Sequence, residues 1–149
     1  MTGKRLTLDE FLPYRLSYTA GLLSELIAKA YRTHFDLSIP EWRVLAHVAE
    51  RAGISQQAIG DRTRMDKVMV SRAAKSLHAK GYLERAANGQ DRRAFTLRLS
   101  ASGKALFDRI APKALELEAG VVATLSREEV GQLHNLLRRM DVAALALRS

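Results

Sequence analysis

The chain has 149 residues, a formal net charge of +8 and no cysteine. Its length fits one domain of ordinary size, and 47% apolar with 27% charged residues describes a globular chain, not a disordered one. The lack of cysteine excludes a disulfide framework, a thiolate zinc site and a thiol redox switch.

From the N-terminus, residues 1–10 are polar and of mixed charge, without the apolar core of a signal peptide. No uninterrupted apolar run approaches the roughly 20 residues of a membrane span, so the expectation is a soluble, cytoplasmic protein. Pro13 suits the first turn of a long helix running to about Phe35, with Leu22, Leu23, Leu26, Ile27, Ala30 and Tyr31 forming a broad apolar stripe. Ser38-x-x-Glu41 has the spacing of a capping box. It opens a second helix through Trp42, Val44, Leu45 and Val48, which Gly53 is expected to end.

Two short helices follow. Ser55 caps the first, Ile59 points inward, and Gly60 is expected to leave room for the crossing helix. Thr63 to Met65 make a turn in which Met65 plugs the space between the helices. Asp66 caps the second helix, where its charge suits the positive end of the helix dipole. On that helix Val70, Ala73, Ala74 and Leu77 fall on one face. The opposite face carries Lys67, Val68, Met69, Ser71, Arg72 and Lys75. Short polar, apolar and basic groups on one exposed face suit the major groove of DNA. Arg pairs bidentately with guanine, Ser bonds base or phosphate, and Val or Met touches a thymine methyl. Ser55 and Gln56 are candidates for contacting the DNA backbone. The blander reading of this face is a solvated helix surface.

A hairpin comes next. Tyr82-Leu83-Glu84-Arg85 reads as one strand and Asn88-Gly89 as a tight turn. Phe95, Leu97 and Leu99 alternate with Thr96 and Arg98, predicting a second strand with one buried face. Arg92 and Arg93 then leave the hairpin tip, where an arginine can enter the narrow minor groove. Asp91 is expected to hold a neighbouring guanidinium in orientation; as a surface ion pair alone it would contribute little. Ser100 can cap a long helix carrying Leu106, Ile110, Leu115, Val121, Val122 and Leu125, which Pro112 should bend. Ser126-x-x-Glu129 caps a last helix with Val130, Leu133, Leu136, Leu137, Met140 and Leu145.

The charge is localised. Residues 38–100 hold 12 Lys and Arg against 6 Asp and Glu, so +6 of the total +8 falls on the two-helix and hairpin segment. A concentrated basic surface attracts phosphate by counterion release. The flanking helices are more apolar than one small middle module requires. Either they fold back as a monomeric core or they interlock with the same helices of a second chain, and two-fold DNA sites favour the homodimer.

No HExxH, P-loop, GxSxG or paired-glycine dinucleotide loop is present, and His34, His47, His78 and His134 have no local ligand spacing, so neither an enzyme nor a cofactor is expected. Two rivals stay open: a zinc sensor built from His34 or His47 with carboxylates, and a non-specific architectural DNA protein.

Asp66-Lys67-x-x-Val70-Ser71-Arg72, Leu77-x-x-x-Gly81-x-Leu83-x-Arg85 and Asp91-Arg92-Arg93-x-x-x-Leu97-x-Leu99-Ser100-x-x-Gly103 together resemble the signature of MarR/SlyA-type transcriptional regulators. The resemblance covers nearly the whole chain, including Ile39-Pro40-Glu41-Trp42-Arg43-Val44-Leu45. It departs at Ser100, where threonine is more usual, and in lacking the cysteine that peroxide-sensing members use. It implies a mainly α fold with a small β-hairpin wing: a single MarR-type domain over residues 1–149. About 38–100 would form a winged helix-turn-helix lobe, and about 8–36 and 101–149 the dimerisation helices. It places Ser71 and Arg72 on a recognition helix and Arg93 in the minor groove. It also implies a repressor released from a pseudo-palindromic operator by an aromatic acid, phenol or acyl thioester. The effector would seat between dimerisation helices and DNA lobes, where this sequence offers Arg15, Tyr18, Leu22 and Trp42. The alternative for these four is that Tyr18 and Trp42 are core and Arg15 makes an ion pair.

Overall fold

The computed structural model describes residues 3–88 and 91–148; the side chains of 88 and 91–94 lie outside the described residues as well. A 3-10 turn, Leu8–Glu10, leads into α1 (Leu12–Phe35), with Pro13 in its first turn, where a missing N–H costs nothing. Asp36 ends α1 in the left-handed conformation (φ 53°), returning its N–H to the Tyr31 carbonyl. The predicted capping box opens α2 (Ile39–Glu50). Ser38 Oγ accepts the Glu41 N–H at 3.2 Å, and Glu41 Oε1 accepts the Ser38 N–H at 3.2 Å.

Gly53 does not end α2. The helix stops at Glu50, closed by the Arg51 N–H on the His47 carbonyl. Gly53 sits in the following turn and donates its N–H to the Leu97 carbonyl at 2.9 Å, so the sheet, not the helix, claims it. A short strand that alternation could not reveal, β1 (Ile54–Ser55), comes next, and Ser55 then caps α3 (Gln56–Thr63) by accepting the Ala58 N–H at 3.1 Å. α4 (Lys67–Ala79) follows, then β2 (Leu83–Asn88), β3 (Asp91–Leu99), α5 (Ala101–Val121) and α6 (Arg127–Leu147). The sheet order is β1-β3-β2, antiparallel throughout, with Ile54 opposite Leu97 and Leu83 opposite Leu99. Gly89, half of the predicted tight turn, lies outside the described residues.

The chain divides into two compact units, Met1–Ala111 and Pro112–Ser149. In the first, Tyr31, Leu45, Val48, Ile59, Val70, Leu77, Leu97 and Ile110 are buried: one aromatic and seven aliphatic side chains from helices and sheet, as the sequence periodicity requires. Trp42 bridges Tyr31 (ring centroids 5.0 Å apart) and Phe107 (5.9 Å, stacked at 11°). Phe95 departs from expectation: it is 44% exposed, although Leu97 on the same face of β3 is buried. The Arg85 guanidinium lies 5.9 Å from its ring centroid instead.

The α4–β2 corner is a Schellman turn. Gly81, at φ +83°, donates to the His78 carbonyl and Tyr82 donates to the Leu77 carbonyl. α5 docks its N-terminus on this corner. Ser100 Oγ accepts the Gly103 N–H at 3.0 Å as predicted for a cap, while the Ser100 and Ser102 hydroxyls both donate to the Gly81 carbonyl.

In the second unit, Ser126 and Glu129 close the predicted capping box at 3.0 and 2.9 Å. Leu133, Leu136 and Leu145 of α6 are exposed, as are Leu16, Leu22 and Leu26 of α1 in the first unit. Pro112 lies inside α5 at the division between the units.

Candidate nucleic-acid interface

α3 and α4 are joined through Arg64, which takes the left-handed conformation (φ 62°), and Met65, which is buried as the plug between them. The Thr63 hydroxyl secures this turn, donating to the Ile59 carbonyl at 2.7 Å and accepting the Met65 N–H at 3.2 Å. Gly60 is less demanding than expected. A methyl group there would meet the Met65 carbonyl oxygen at 3.5 Å and Val70 Cγ2 at 3.8 Å, ordinary van der Waals contacts.

Asp66 caps α4, accepting the Met69 N–H at 2.8 Å. Replacing Asp66 by Ala should lower stability by about 1 kcal/mol through the orphaned N–H groups of the first turn. Matched denaturation curves at neutral pH check this; unaltered stability would mean that tertiary packing alone holds the turn.

The two faces of α4 separate as the periodicity predicts. Val70, Ala73, Ala74 and Leu77 are buried, while Lys67, Val68, Met69, Ser71, Arg72 and Lys75 are all exposed. Val68 is 58% exposed, an apolar group held in water at the middle of a basic face. Among the described residues, Lys67, Arg72 and Lys75 make no ion pair, so their charge is free to meet a phosphate or a base edge. Gln56, Gln57 and Lys67 line a hollow between α3 and α4. Asp91, Arg92 and Arg93 begin β3, beyond the part of the sheet that β1 covers; their side chains lie outside the described residues.

Sequence reasoning missed what holds α4 in place. Glu41, read only as a cap, also accepts the Ser76 hydroxyl and the Lys80 ammonium, each at 3.0 Å on Oε2. Burial raises the Glu41 carboxyl, but hydrogen bonds from Lys80, the Ser38 N–H and hydroxyl, and Ser76 outweigh it and hold it below its ordinary 4.5. A depressed carboxyl stabilises the fold above its unfolded value, and that stabilisation is lost as pH falls through the lower folded value. Acidification below pH 4.5 should therefore destabilise the wild-type chain more steeply than Glu41→Gln. Denaturant midpoints at pH 7 and below pH 4.5 check this; parallel pH profiles would refute it.

Of the four residues of the expected effector seat, Trp42 lies apart from Arg15 and Tyr18. Trp42 is engaged by Tyr31 and Phe107, whereas Tyr18 is exposed beside Tyr14 (6.4 Å) and under the Arg15 guanidinium (5.6 Å). Tyr18 and Tyr31 are separated by about 20 Å along α1 at 1.5 Å per residue. Arg15 has no carboxylate partner among the described residues; it donates to the Thr19 hydroxyl at 3.3 Å. Nor do the described residues bring three His, Asp or Glu side chains together to hold a metal ion. His47 lies below its ordinary value through burial, with Arg62 and Arg51 adding to the effect against Glu50. Among the described residues, no helix is long and apolar enough to cross a membrane.

Comparison with known proteins agrees with this geometry. Residues 35–94, from the end of α1 into β3, match the model of the MarR family. The HTH-type transcriptional regulator TtmR of Methylorubrum extorquens (strain PA1) is 29% identical over 98 residues, 64% of this chain and 50% of TtmR. The HTH-type transcriptional regulator BilQ of Clostridium symbiosum (strain WAL-14163) is 27% identical over 94 residues, 63% of this chain and 65% of BilQ. The matches therefore span half to just under two thirds of these relatives' own lengths. The crystal structure of a MarR/EmrR family transcriptional regulator from Acinetobacter sp. ADP1 superposes with a TM-score of 0.86 at 26% identity, covering 93% of this chain and 98% of that one. With the capped helix pair, the basic exposed face and the three-stranded wing all in place, the chain is similar to the MarR family of winged helix-turn-helix transcriptional regulators over residues 35–94 and shares the fold of a solved MarR/EmrR family structure.

Proposed function

We propose that the chain is a sequence-specific reader of duplex DNA that acts as a homodimer. The observation that carries this reading is the exposed face of α4. It combines Lys67, Arg72 and Lys75, which make no ion pair among the described residues, with Ser71, Val68 and Met69, a mixture suited to base edges and not to phosphate alone. In this reading α4 enters the major groove, while Ser55 and Gln56 meet the backbone at the start of α3. Arg92 and Arg93 reach the minor groove, with Asp91 orienting them. Exposed leucines on α1 and α6 are the ridges that a second copy would cover.

A selection from a randomised duplex library tests this. The expected result is a two-fold motif with half-sites about 10 base pairs apart, bound at least tenfold more tightly than random duplex. A preference below about tenfold would favour the non-specific architectural reading.

As a regulator the chain acts by repression, released when a small aromatic acid, phenol or acyl thioester shifts the population toward a lobe spacing that no longer fits both half-sites. Arg15, Tyr18 and Leu22, exposed on α1, are the proposed open side of that effector seat. Titrating the complex with the selected duplex using benzoate, phenol and acetyl-coenzyme A probes the three classes. Release by none of them would remove this effector chemistry.

A further inference from the structure

The two oxygens of the Glu41 carboxylate do different work. Oε1 serves α2, accepting the Ser38 N–H at 3.2 Å and the Ser38 hydroxyl at 3.0 Å. Oε2 serves α4, accepting Ser76 and Lys80. Lys80, the C-cap of α4, spends a second N–H on the carbonyl of Asp36, the C-cap of α1, at 2.9 Å. One carboxylate and one ammonium thus tie the end of α1, the start of α2 and the far end of α4 together. The Glu41 side chain is 12% exposed and that of Lys80 33%. A partly dry pair of this kind is more than a surface ion pair, and its geometry is held by five hydrogen bonds.

A capping box needs only one acceptor oxygen at its third position, so glutamine would serve there as well as glutamate. The charge on Oε2 is therefore surplus to the cap and specific to α4. Its position also matters. The exposed basic face begins at Lys67, while the tie grips Ser76 and Lys80 at the other end of the helix. A helix of 13 residues is about 20 Å long, so a tilt of about 10° at the tied end moves the reading end by about 3 Å, close to one base-pair rise.

We propose that Glu41 and Lys80 are positioning residues for DNA reading: their tie fixes the angle at which α4 is presented and so sets how sharply the dimer discriminates the spacing between two half-sites. This rests on the reading of α4 as the recognition helix.

The test uses the full-length chain and a duplex that the wild type selects from a randomised library. The affinity for that duplex is compared with the affinity for the same duplex carrying one inserted base pair between its halves. The wild type is expected to discriminate the two by about tenfold or more, and Glu41→Gln and Lys80→Met to reduce the ratio to about threefold or less. Glu41→Gln keeps the α2 cap but turns an amide donor toward the ammonium. Lys80→Arg, whose guanidinium can reach both acceptors, is expected to restore most of the ratio. If Lys80→Met does not fold, Ser76→Ala removes one hydrogen bond of the tie and should lower the ratio in the same direction. A ratio unaltered in folded Glu41→Gln overturns the proposal, as does a Lys80→Arg chain that discriminates no better than Lys80→Met. A wild-type chain that selects no duplex overturns both this proposal and the reading of α4, whereas an unaltered ratio overturns this proposal alone.

Discussion

Replacing Gly103 by Ala is expected to destabilise the first unit by about 3 kcal/mol, the upper range for forcing a group into a packed site. A Cβ built on Gly103 would fall inside the Tyr82 carbonyl oxygen, closer than real Cβ atoms approach, and only 3.0 Å from the carbonyl carbon. Both groups are backbone and have little freedom. The Tyr82 carbonyl accepts the Ser100 N–H at 3.0 Å, and the Gly103 N–H is bound by Ser100 Oγ. Moving either strand or helix would break the docking of α5 on the α4–β2 corner. Gly60→Ala is the comparison that gives this meaning. Its new methyl would find ordinary contacts, and α3 would gain up to about 1 kcal/mol of helix propensity. Denaturant midpoints of the two variants should therefore move in opposite directions. Equal stability of Gly103→Ala and wild type would mean that the corner shifts freely.

Arg72→Ala should remove base discrimination at one position of each half-site, about 1–3 kcal/mol, or roughly five- to 150-fold in relative affinity. Arg72 is exposed on the outer face of α4 and has no ion-pair partner among the described residues, so its truncation should leave the fold intact. Binding to a panel of single-substitution duplexes separates two roles. A bidentate contact to guanine flattens the preference at that one position. A phosphate clamp instead weakens every duplex equally and lowers the salt dependence by about one ion. An equal loss across the panel would move specificity from Arg72 to its neighbours on α4. Salt is held constant throughout, since affinities at different ionic strengths are not comparable.

Much of the helical part of this fold is legible in the sequence, because its signals are local. Ser38 with Glu41, Ser55, Asp66, and Ser126 with Glu129 each announce a helix start within four residues, and each cap is present. The split of α4 into buried and exposed faces follows from its 3.6-residue period. What escaped is non-local or too short to carry a period. β1 has two residues, so no alternation could mark it, and its presence is what takes Gly53 away from α2. Phe95 alternates correctly with Leu97, yet alternation marks only which face a side chain shares, not how far that face is covered. The partners of Glu41 are 35 and 39 residues away, and nothing within its own helix points to them. Gly60 and Gly103 are alike as letters. Only the backbone opposite each one distinguishes a tolerant position from a forbidden one.

The ring cluster at the α1–α2 corner has a practical consequence. Trp42 is the chain's single tryptophan, lodged between Tyr31 of α1 and Phe107 of α5. Emission excited at the red edge of the ultraviolet band, where the chain's four tyrosines do not absorb, therefore comes from one address. Its colour and intensity report water entry or ring displacement at that corner alone, so a stopped-flow instrument can follow the motion with no dye attached.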